Sequence, residues 1–324
     1  MRQFPLIWML ALLCWWQPAM ADLPVLRAGV LKFGTVNWEL QTIRNHQLDR
    51  VEGFQLKVVP YAGKLATTTA LHGEAVDLIV NDWFWVSRQR SAGRGYGFLP
   101  YSRMNGAIMV AADSGINDLT DLKEKKVGIA GGPVDKNWLL IQALAHQQYG
   151  IDLKKKIDAV YGAPPLLAKK LQSGELDAVI TFWHYAARLE AAGFRRLLDV
   201  GAVLQQLGLP ADVPMVGYVF SPALNEGDPA LVQAFDRAAR RAKAILATRP
   251  EAWLALKPLM NADSEASFQL LKKGYQSGIP AHWGVTERQQ AERLFRLLAA
   301  LGGDALVGQA TTLAPGTFIE SIHY

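Results

Sequence analysis

The sequence predicts an α/β fold with two similar lobes, each a mainly parallel sheet flanked by helices. Short apolar segments alternate with helical segments along the chain, an order that is typical of parallel sheets with helices on both faces. The same order recurs about 100 residues later, which indicates a repeated lobe. Half of the 324 residues are apolar, so the chain can form a sizeable core.

The N-terminal segment has the features of a secretory signal peptide. Arg2 precedes an apolar run at residues 6–16, and Ala19-Met20-Ala21 is a small-x-small cleavage site before Asp22. The single cysteine, Cys14, lies in this segment, so we expect a mature chain without disulfides or cysteine-bound metal. No later stretch approaches the roughly 18 unbroken apolar residues of a transmembrane helix. We therefore expect an exported, periplasmic protein that is not an integral membrane protein.

The charge pattern argues against nucleic-acid binding. The chain has 34 Lys and Arg and 29 Asp and Glu, and loss of Arg2 with the leader would leave a net charge of +4. The basic residues are scattered or lie on helical stretches such as residues 237–243, without a basic cluster interleaved with aromatic residues.

Each lobe is predicted to contain three strand-helix pairs. In the first lobe the predicted strands are 26–31, 55–59 and 77–80, and the predicted helices are 38–47, 64–72 and 83–90. In the second lobe the predicted strands are 127–130, 157–161 and 177–180, and the predicted helices are 134–147, 165–172 and 183–192. Identical residues recur at an offset of 100, among them Trp38 with Trp138, Asp77 with Asp177, and Trp83 with Trp183.

The stretch at residues 127–140 predicts a ligand-binding turn. Gly131 and Gly132 follow a buried strand and allow a tight turn, and Pro133 suits the first position of the next helix. Unpaired backbone N–H groups collect at such a helix N-terminus, and open α/β sheets bind ligands at this end of their strands. Any strand-helix unit has a similar turn, so the turn by itself is weak evidence.

Two apolar, β-like segments connect the lobes. Residues 98–112 leave the first lobe, and residues 214–220 return to it, so the sequence predicts a two-stranded hinge. Beyond the hinge the chain is predicted to be helical, with helices starting at Pro229, at Pro250, after Asp263 or Ser264, and near Thr286.

The chain resembles the type II periplasmic solute-binding proteins of ABC importers, in the group that serves sulfonates, taurine, nitrate and thiamine-pyrimidine precursors. The residues that carry the resemblance are Gly115-Ile116-Asn117-Asp118-Leu119-Thr120-Asp121-Leu122-Lys123-Glu124-Lys125-Lys126-Val127, the related segments 73–77 and 174–177, and the segment 228–235. Glu124 stands where the family usually has glycine, so that loop must turn without an obligate glycine.

The resemblance implies a two-lobed type II periplasmic-binding-protein fold over the whole mature chain. Lobe 1 would comprise residues 22–104 and 218–324, and lobe 2 residues 105–217, after a signal peptide at residues 1–21. It also implies a monomeric, non-enzymatic receptor without cofactor or metal. Such a receptor closes its lobes around a small organic solute and delivers it to a membrane permease.

In such a fold the ligand lies between the lobes, on the loops at the carboxyl ends of the strands. The positions that the resemblance assigns to ligand binding are Lys32, Phe33, Thr35, Trp38, Asn81, Asp82, Trp83, Gly132, Asp135, Trp138, Thr181 and Trp183.

Several of these residues have an equally good structural interpretation. We expect Trp38 and Trp138 to pack in the core, and Trp83 and Trp183 to face the cleft. Asp82 and Asp135 are placed either to face a ligand or to cap a helix. No arginine falls in the loops, which favours a neutral, cationic or aromatic ligand over a carboxylate or sulfonate.

Two alternatives to a solute receptor remain open. One is a fold-related enzyme, although the sequence contains no Gly-x-Ser-x-Gly, His-Glu-x-x-His or Gly-x-x-x-x-Gly-Lys motif. Relatives that synthesise thiamine pyrimidine carry a cysteine-rich motif, which the mature chain lacks. The other is a periplasmic accessory protein that docks on a partner and whose cleft is vestigial.

Overall fold

The computed structural model describes residues 22–324, which form two five-stranded sheets flanked by helices. The predicted signal peptide and Cys14 lie outside this range. The strands are β1 (Val25–Leu31), β2 (Gln55–Tyr61), β3 (Leu78–Asp82), β4 (Gly97–Ser102), β5 (Gly106–Val110), β6 (Lys126–Ala130), β7 (Asp158–Gly162), β8 (Ala178–Phe182), β9 (Arg195–Asp199) and β10 (Val216–Phe220). The helices are α1 (Val36–Asn45), α2 (Leu48–Val51), α3 (Lys64–His72), α4 (Trp83–Ser91), α5 (Lys136–Tyr149), α6 (Leu153–Lys156), α7 (Pro164–Gln172), α8 (Trp183–Ala191), α9 (Val200–Gln206), α10 (Pro222–Gly227), α11 (Pro229–Thr248), α12 (Pro250–Met260), α13 (Glu265–Ser277) and α14 (Val285–Val307).

The two sheets have the same topology, which confirms the two-lobed α/β prediction. The first sheet has the order β2-β1-β3-β10-β4, and the second has the order β7-β6-β8-β5-β9. In each, the first three strands are parallel and the last two are antiparallel to their neighbours. We call the elements on the first sheet the first lobe and those on the second sheet the second lobe. The domain boundaries at 104/105 and 217/218 stay a prediction.

The offset of 100 residues is a structural repeat. The elements α3, β3 and α4 start at residues 64, 78 and 83, and α7, β8 and α8 start at residues 164, 178 and 183. Asp77 precedes β3 and accepts a hydrogen bond from the Arg27 backbone N at 2.7 Å, and Asp177 accepts one from the Lys126 backbone N at 2.7 Å. The repeated aspartate therefore ties the third strand of each lobe to the first.

The structure differs from the sequence prediction in several elements. The helix after β6 begins at Lys136, and the prediction that Pro133 occupies its first position is wrong, because Asp135 is the N-cap and accepts from the Asn137 backbone N at 3.0 Å. The prediction missed β9 and α9, and the segment 98–112 divides into β4 and β5. Asp228 caps α11 and Ser264 caps α13, which confirms two of the predicted helix starts.

The chain crosses between the sheets at residues 103–105 and 207–215. Helices add further contacts between the lobes, because α8 packs on α13, and α14 packs on both α4 and α5. Gly303 has a φ of 53° and kinks α14 near its end.

A buried ionic cluster lies behind the first sheet. The Glu39 carboxylate is fully buried on α1 and forms an ion pair with Lys243 of α11 at 2.6 Å. The Tyr218 and Tyr275 hydroxyls donate to the same carboxylate at 2.8 and 2.7 Å. Burial, followed by the negative charge of Glu39, raises the pKa of both tyrosines well above the usual value. The cluster therefore joins α1, β10, α11 and α13 through one carboxylate.

His184 lies among aromatic rings at the start of α8. Its ring centroid is 4.5 Å from that of Tyr185 and 5.6 Å from that of Trp183. Burial, and to a smaller extent the charge of Arg188, lowers its pKa to about 3. The imidazole is therefore neutral at physiological pH.

We predict that breaking the buried ion pair destabilises the fold. K243M leaves the Glu39 carboxylate buried without a countercharge and should lower the free energy of unfolding by about 3–5 kcal/mol. Urea unfolding at pH 7 measures this loss, and E39Q/K243M should recover most of it because no net charge stays buried. The exposed Lys57→Met is the control. A loss below about 1 kcal/mol in K243M, which is typical of a surface ion pair, would contradict the prediction.

We predict that His184 makes the protein less stable in acid. The folded state binds the imidazole proton more weakly than the unfolded state, whose pKa is near 6.5, so stability falls as the pH drops from 6.5 towards 3. For this half-buried side chain we expect a loss of about 1–2 kcal/mol between pH 6.5 and 4.5. H184F should reduce the pH slope of urea unfolding, whereas the exposed His46→Asn should not. Equal slopes for wild type and H184F would refute the assignment.

A charged cavity between the lobes

The carboxyl ends of the two sheets face each other across a cavity of about 650 Å³. In the first lobe its walls come from the end of β1, the start of α3, and the junction of β3 and α4. In the second lobe they come from the turns that follow β6, β7 and β8. Beyond the kink in α14, Ala305 and Leu306 complete the lining. The cavity thus lies where open α/β sheets bind ligands.

An ion pair bridges the cavity from one lobe to the other. The Lys136 Nζ, at the start of α5, lies 2.7 Å from the Asp82 Oδ2, at the end of β3. Asp82 also caps α4, because its Oδ1 accepts from the Trp85 backbone N at 2.9 Å. Burial alone would raise the pKa of Asp82, but the charges of Lys136 and Lys64 and the two hydrogen bonds outweigh it and lower the pKa. The carboxylate is therefore held in its ionised form.

A second carboxylate, Asp135, lines the second-lobe side. It accepts from the backbone N atoms of Asn137 and Trp138 at 3.0 and 3.3 Å. Burial raises its pKa, and the charges of Lys136 and Lys64 offset only part of that rise. The sequence left open whether Asp82 and Asp135 cap a helix or contact a ligand. In the structure both are N-caps that also line the cavity.

Two cations in the cavity have no ion-pair partner among residues 22–324. Lys64 starts α3, and its Nζ lies 6.0 Å from the centre of the Phe182 ring of the opposite lobe. The surrounding walls, and then the charge of Lys136, lower its pKa. Arg88 lies on α4 and also lines the cavity. These groups give the cavity positive charge that the protein leaves free.

Arg88 was not among the predicted site residues, because the prediction was confined to the loops. The sequence does contain a pattern that indicates Arg88. Asp82, Trp85 and Arg88 are spaced three residues apart and therefore fall on one side of α4. All three line the cavity.

Apolar groups form the rest of the wall and the surrounding surface. Leu31, Trp85, Val134 and Phe182 are among the lining residues. In the same strand-helix turns, four large apolar side chains are exposed: Phe33 (69%), Leu65 (81%), Tyr161 (41%) and Leu166 (52%).

The four tryptophans among the predicted ligand-binding residues are core residues. This corrects the expectation that Trp83 and Trp183 face the cleft. The exposed fractions of Trp38, Trp83, Trp138 and Trp183 are 2%, 0%, 1% and 7%. Trp83 stacks on Phe84 at a centroid distance of 3.9 Å and donates its indole N–H to the Pro214 carbonyl at 3.0 Å. Residues from the C-terminal part of the chain pack against Trp38, Trp83 and Trp183, which the pattern of a strand-helix turn does not reveal.

Of the twelve predicted ligand-binding residues, Asp82, Gly132 and Asp135 line the cavity. Lys32 and Phe33 are exposed outside it. Thr35 is buried and accepts from the Tyr101 hydroxyl at 3.3 Å, and the Asn81 side chain accepts from the Asp82 backbone N at 2.9 Å. Thr181 is buried in β8.

Other kinds of site find no support in the described part of the chain. Residues 22–324 contain no group of three His, Cys, Asp or Glu side chains that could hold a metal ion. Within the same range, none of the helices combines the length and hydrophobicity needed to cross a membrane.

Several solved structures share this fold. The periplasmic aliphatic sulphonate-binding protein SsuA of Escherichia coli has a TM-score of 0.66 at 20% identity, over 90% of this chain and 97% of that one. The alkanesulfonate-binding SsuA of Xanthomonas axonopodis pv. citri, bound to MOPS, has a TM-score of 0.68 at 17% identity, over 92% and 99%. A cysteine-to-serine variant of DszB in complex with biphenyl-2-sulfinic acid has a TM-score of 0.59 at 16% identity, over 91% and 97%.

At the sequence level, no curated protein is significantly similar to this chain. The family model described as NMT1/THI5 like matches residues 50–253, which is more than half of the chain. The chain therefore belongs to the NMT1/THI5-like family.

Proposed function

We propose that this chain is the solute-binding receptor of an ABC importer. The observation that carries the proposal is the cavity between the lobes. Its walls come from both sheets, and its cations Lys64 and Arg88 form no ion pair with another residue of the range 22–324. Ligand contacts with both lobes favour the closed state, because the ligand binds that state better than the open one. A membrane permease would then receive the solute, and the predicted leader supports a periplasmic location.

The lining chemistry favours an organic anion. Lys64, Arg88 and Lys136 contribute three positive charges, and Asp82 and Asp135 contribute two negative charges when both are ionised. The cavity then has a net charge of +1, which a monoanion would neutralise. Leu31, Val134 and Phe182 provide an apolar surface for the rest of the molecule. Because Arg88 reaches the cavity, we favour an anion over the neutral, cationic or aromatic ligand that the loops alone indicated.

We further propose that the chain binds its solute without converting it. The described lining of the cavity contains no Cys, Ser or His that could act as a nucleophile or be activated by a neighbouring base. Asp82 and Lys136 are engaged with each other. Binding of an anion needs only positive charge and a matching surface, and the cavity supplies both.

We predict that organic monoanions stabilise the mature protein. A panel of alkanesulfonates, arylsulfonates and carboxylates, with quaternary amines for comparison, would be tested by thermal shift on protein refolded to remove co-purified ligand. A ligand at 100 times its dissociation constant adds about 2.7 kcal/mol, a rise of several degrees in Tm. A shift by amines and not by anions would contradict the proposal.

We predict that Lys64→Met and Arg88→Met each weaken binding of the anion found in that panel by about 10- to 100-fold, because each removes a charge-assisted contact. Calorimetric titration measures the affinities. Lys57→Met, on the first lobe away from the cavity, is the matched control and should leave affinity unchanged. Wild-type affinity in both cavity variants would show that the anion binds elsewhere.

A further inference from the structure

Trp183 belongs to the second lobe but is buried against the first. It is the first residue of α8, and its ring makes an edge contact with Trp38 of α1, at a centroid distance of 6.1 Å and an interplanar angle of 88°. On its other side lies Gly274 of α13, where an added Cβ would be 2.6 Å from the Trp183 Cζ3. Glycine at this position therefore leaves a notch that the indole fills.

A second contact lies farther along the same helix. The Arg188 guanidinium donates to the Met260 carbonyl at 2.8 Å and to the Asn261 carbonyl at 3.2 Å. These carbonyls are at the C-terminus of α12, where Asn261 ends the helix with a φ of 48°. Unpaired carbonyls and the negative end of the helix dipole favour a cation there. The two contacts hold α8 against α12 and α13.

The partner helices are tied to the first lobe. Tyr275, next to Gly274, donates to the Glu39 carboxylate of α1 at 2.7 Å. Trp253 of α12 packs edge-on against Trp38 at a centroid distance of 6.0 Å. A helix of the second lobe thus docks on helices that are fixed to the first.

The equivalent residues of the first lobe contact other parts of the chain. Trp83, 100 residues earlier, packs on Phe84, Phe295 and Phe318, and Arg88 lines the cavity. The docking of α8 is therefore specific to the second copy of the repeat.

We propose that Trp183, Gly274 and Arg188 form an interlobe anchor that sets the angle between the two lobes. Other links between the lobes are the crossings at residues 103–105 and 207–215, the contacts of α14, and the ion pair between Lys136 and Asp82. Phe182, which lines the cavity opposite Lys64, directly precedes Trp183, so the position of the indole fixes one wall of the cavity. These are positioning residues, and only their effect on ligand affinity rests on the proposed function.

The test measures the distance between the lobes without ligand. Because Cys14 is the single cysteine, the chain from Asp22 accepts two spin labels at Thr69→Cys on α3 and Lys169→Cys on α7, both exposed. In G274A the added methyl group displaces Trp183, and overpacking of this kind shifts an equilibrium by roughly 5- to 150-fold. We expect a longer-distance population in pulsed electron-electron resonance. G227A is the matched control, because an added Cβ there meets nothing within 4 Å.

Two further variants remove the other members of the anchor. W183L takes away the indole and its edge contact with Trp38, so it should lengthen the distance as G274A does. R188M should lengthen the distance without altering the notch, and it serves as the test if G274A fails to fold. Distance distributions of G274A and R188M that match those of wild type and G227A would overturn the proposal. The distance measurement needs no ligand, so it tests the anchor separately from the receptor hypothesis. If only the receptor hypothesis fails, no anion binds but the distances in G274A and R188M still change.

Discussion

The structure depends on one constraint of parallel sheets, which is that every helix that follows a strand starts at the carboxyl edge. Two such edges face each other here, so α3, α4, α5 and α7 all begin around one cavity. Helix N-termini favour negative charge. Asp82 and Asp135 meet this requirement as N-caps, and Asp82 in turn holds Lys136. Lys64 and Arg88 are then left as the cations available to a ligand.

The two lobes share one topology, and much of the site comes from repeat positions at which they differ. The paired positions are Lys64 and Pro164, Asp82 and Phe182, Trp83 and Trp183, and Arg88 and Arg188. In the first lobe this set supplies three of the five charged groups of the cavity and one core ring. In the second lobe the same set supplies an apolar wall and two residues that bind α12 and α13. At these paired positions, a repeated scaffold thus provides charged groups from the first lobe and apolar groups from the second.

Local sequence patterns were sufficient for the scaffold and insufficient for the site. Most of the strands and the caps at Asp228 and Ser264 were predicted because each depends on residues a few positions apart, and the repeat was predicted from identical residues at an offset of 100. Arg88 could have been found by extending the search one turn into α4. The burial of Trp83 and Trp183 could not, because helices 90 or more residues away cover them. The Glu39 cluster was equally hidden, since its partners are 179, 204 and 236 residues distant in sequence.

The buried carboxylate and the interlobe anchor are coupled through one peptide bond. Tyr275 holds Glu39, and its neighbour Gly274 forms the notch for Trp183, so the ionic cluster fixes the position of the notch. Leaving a buried charge without its partners costs free energy, so the Glu39 carboxylate and its partners keep one geometry. Because Tyr275 of α13 is one of these partners, the cluster holds α13 in place. Loss of the Glu39 cluster should therefore loosen the cleft as well as the fold. The stability of the first lobe and the angle between the two lobes then depend on the same side chain, that of Glu39.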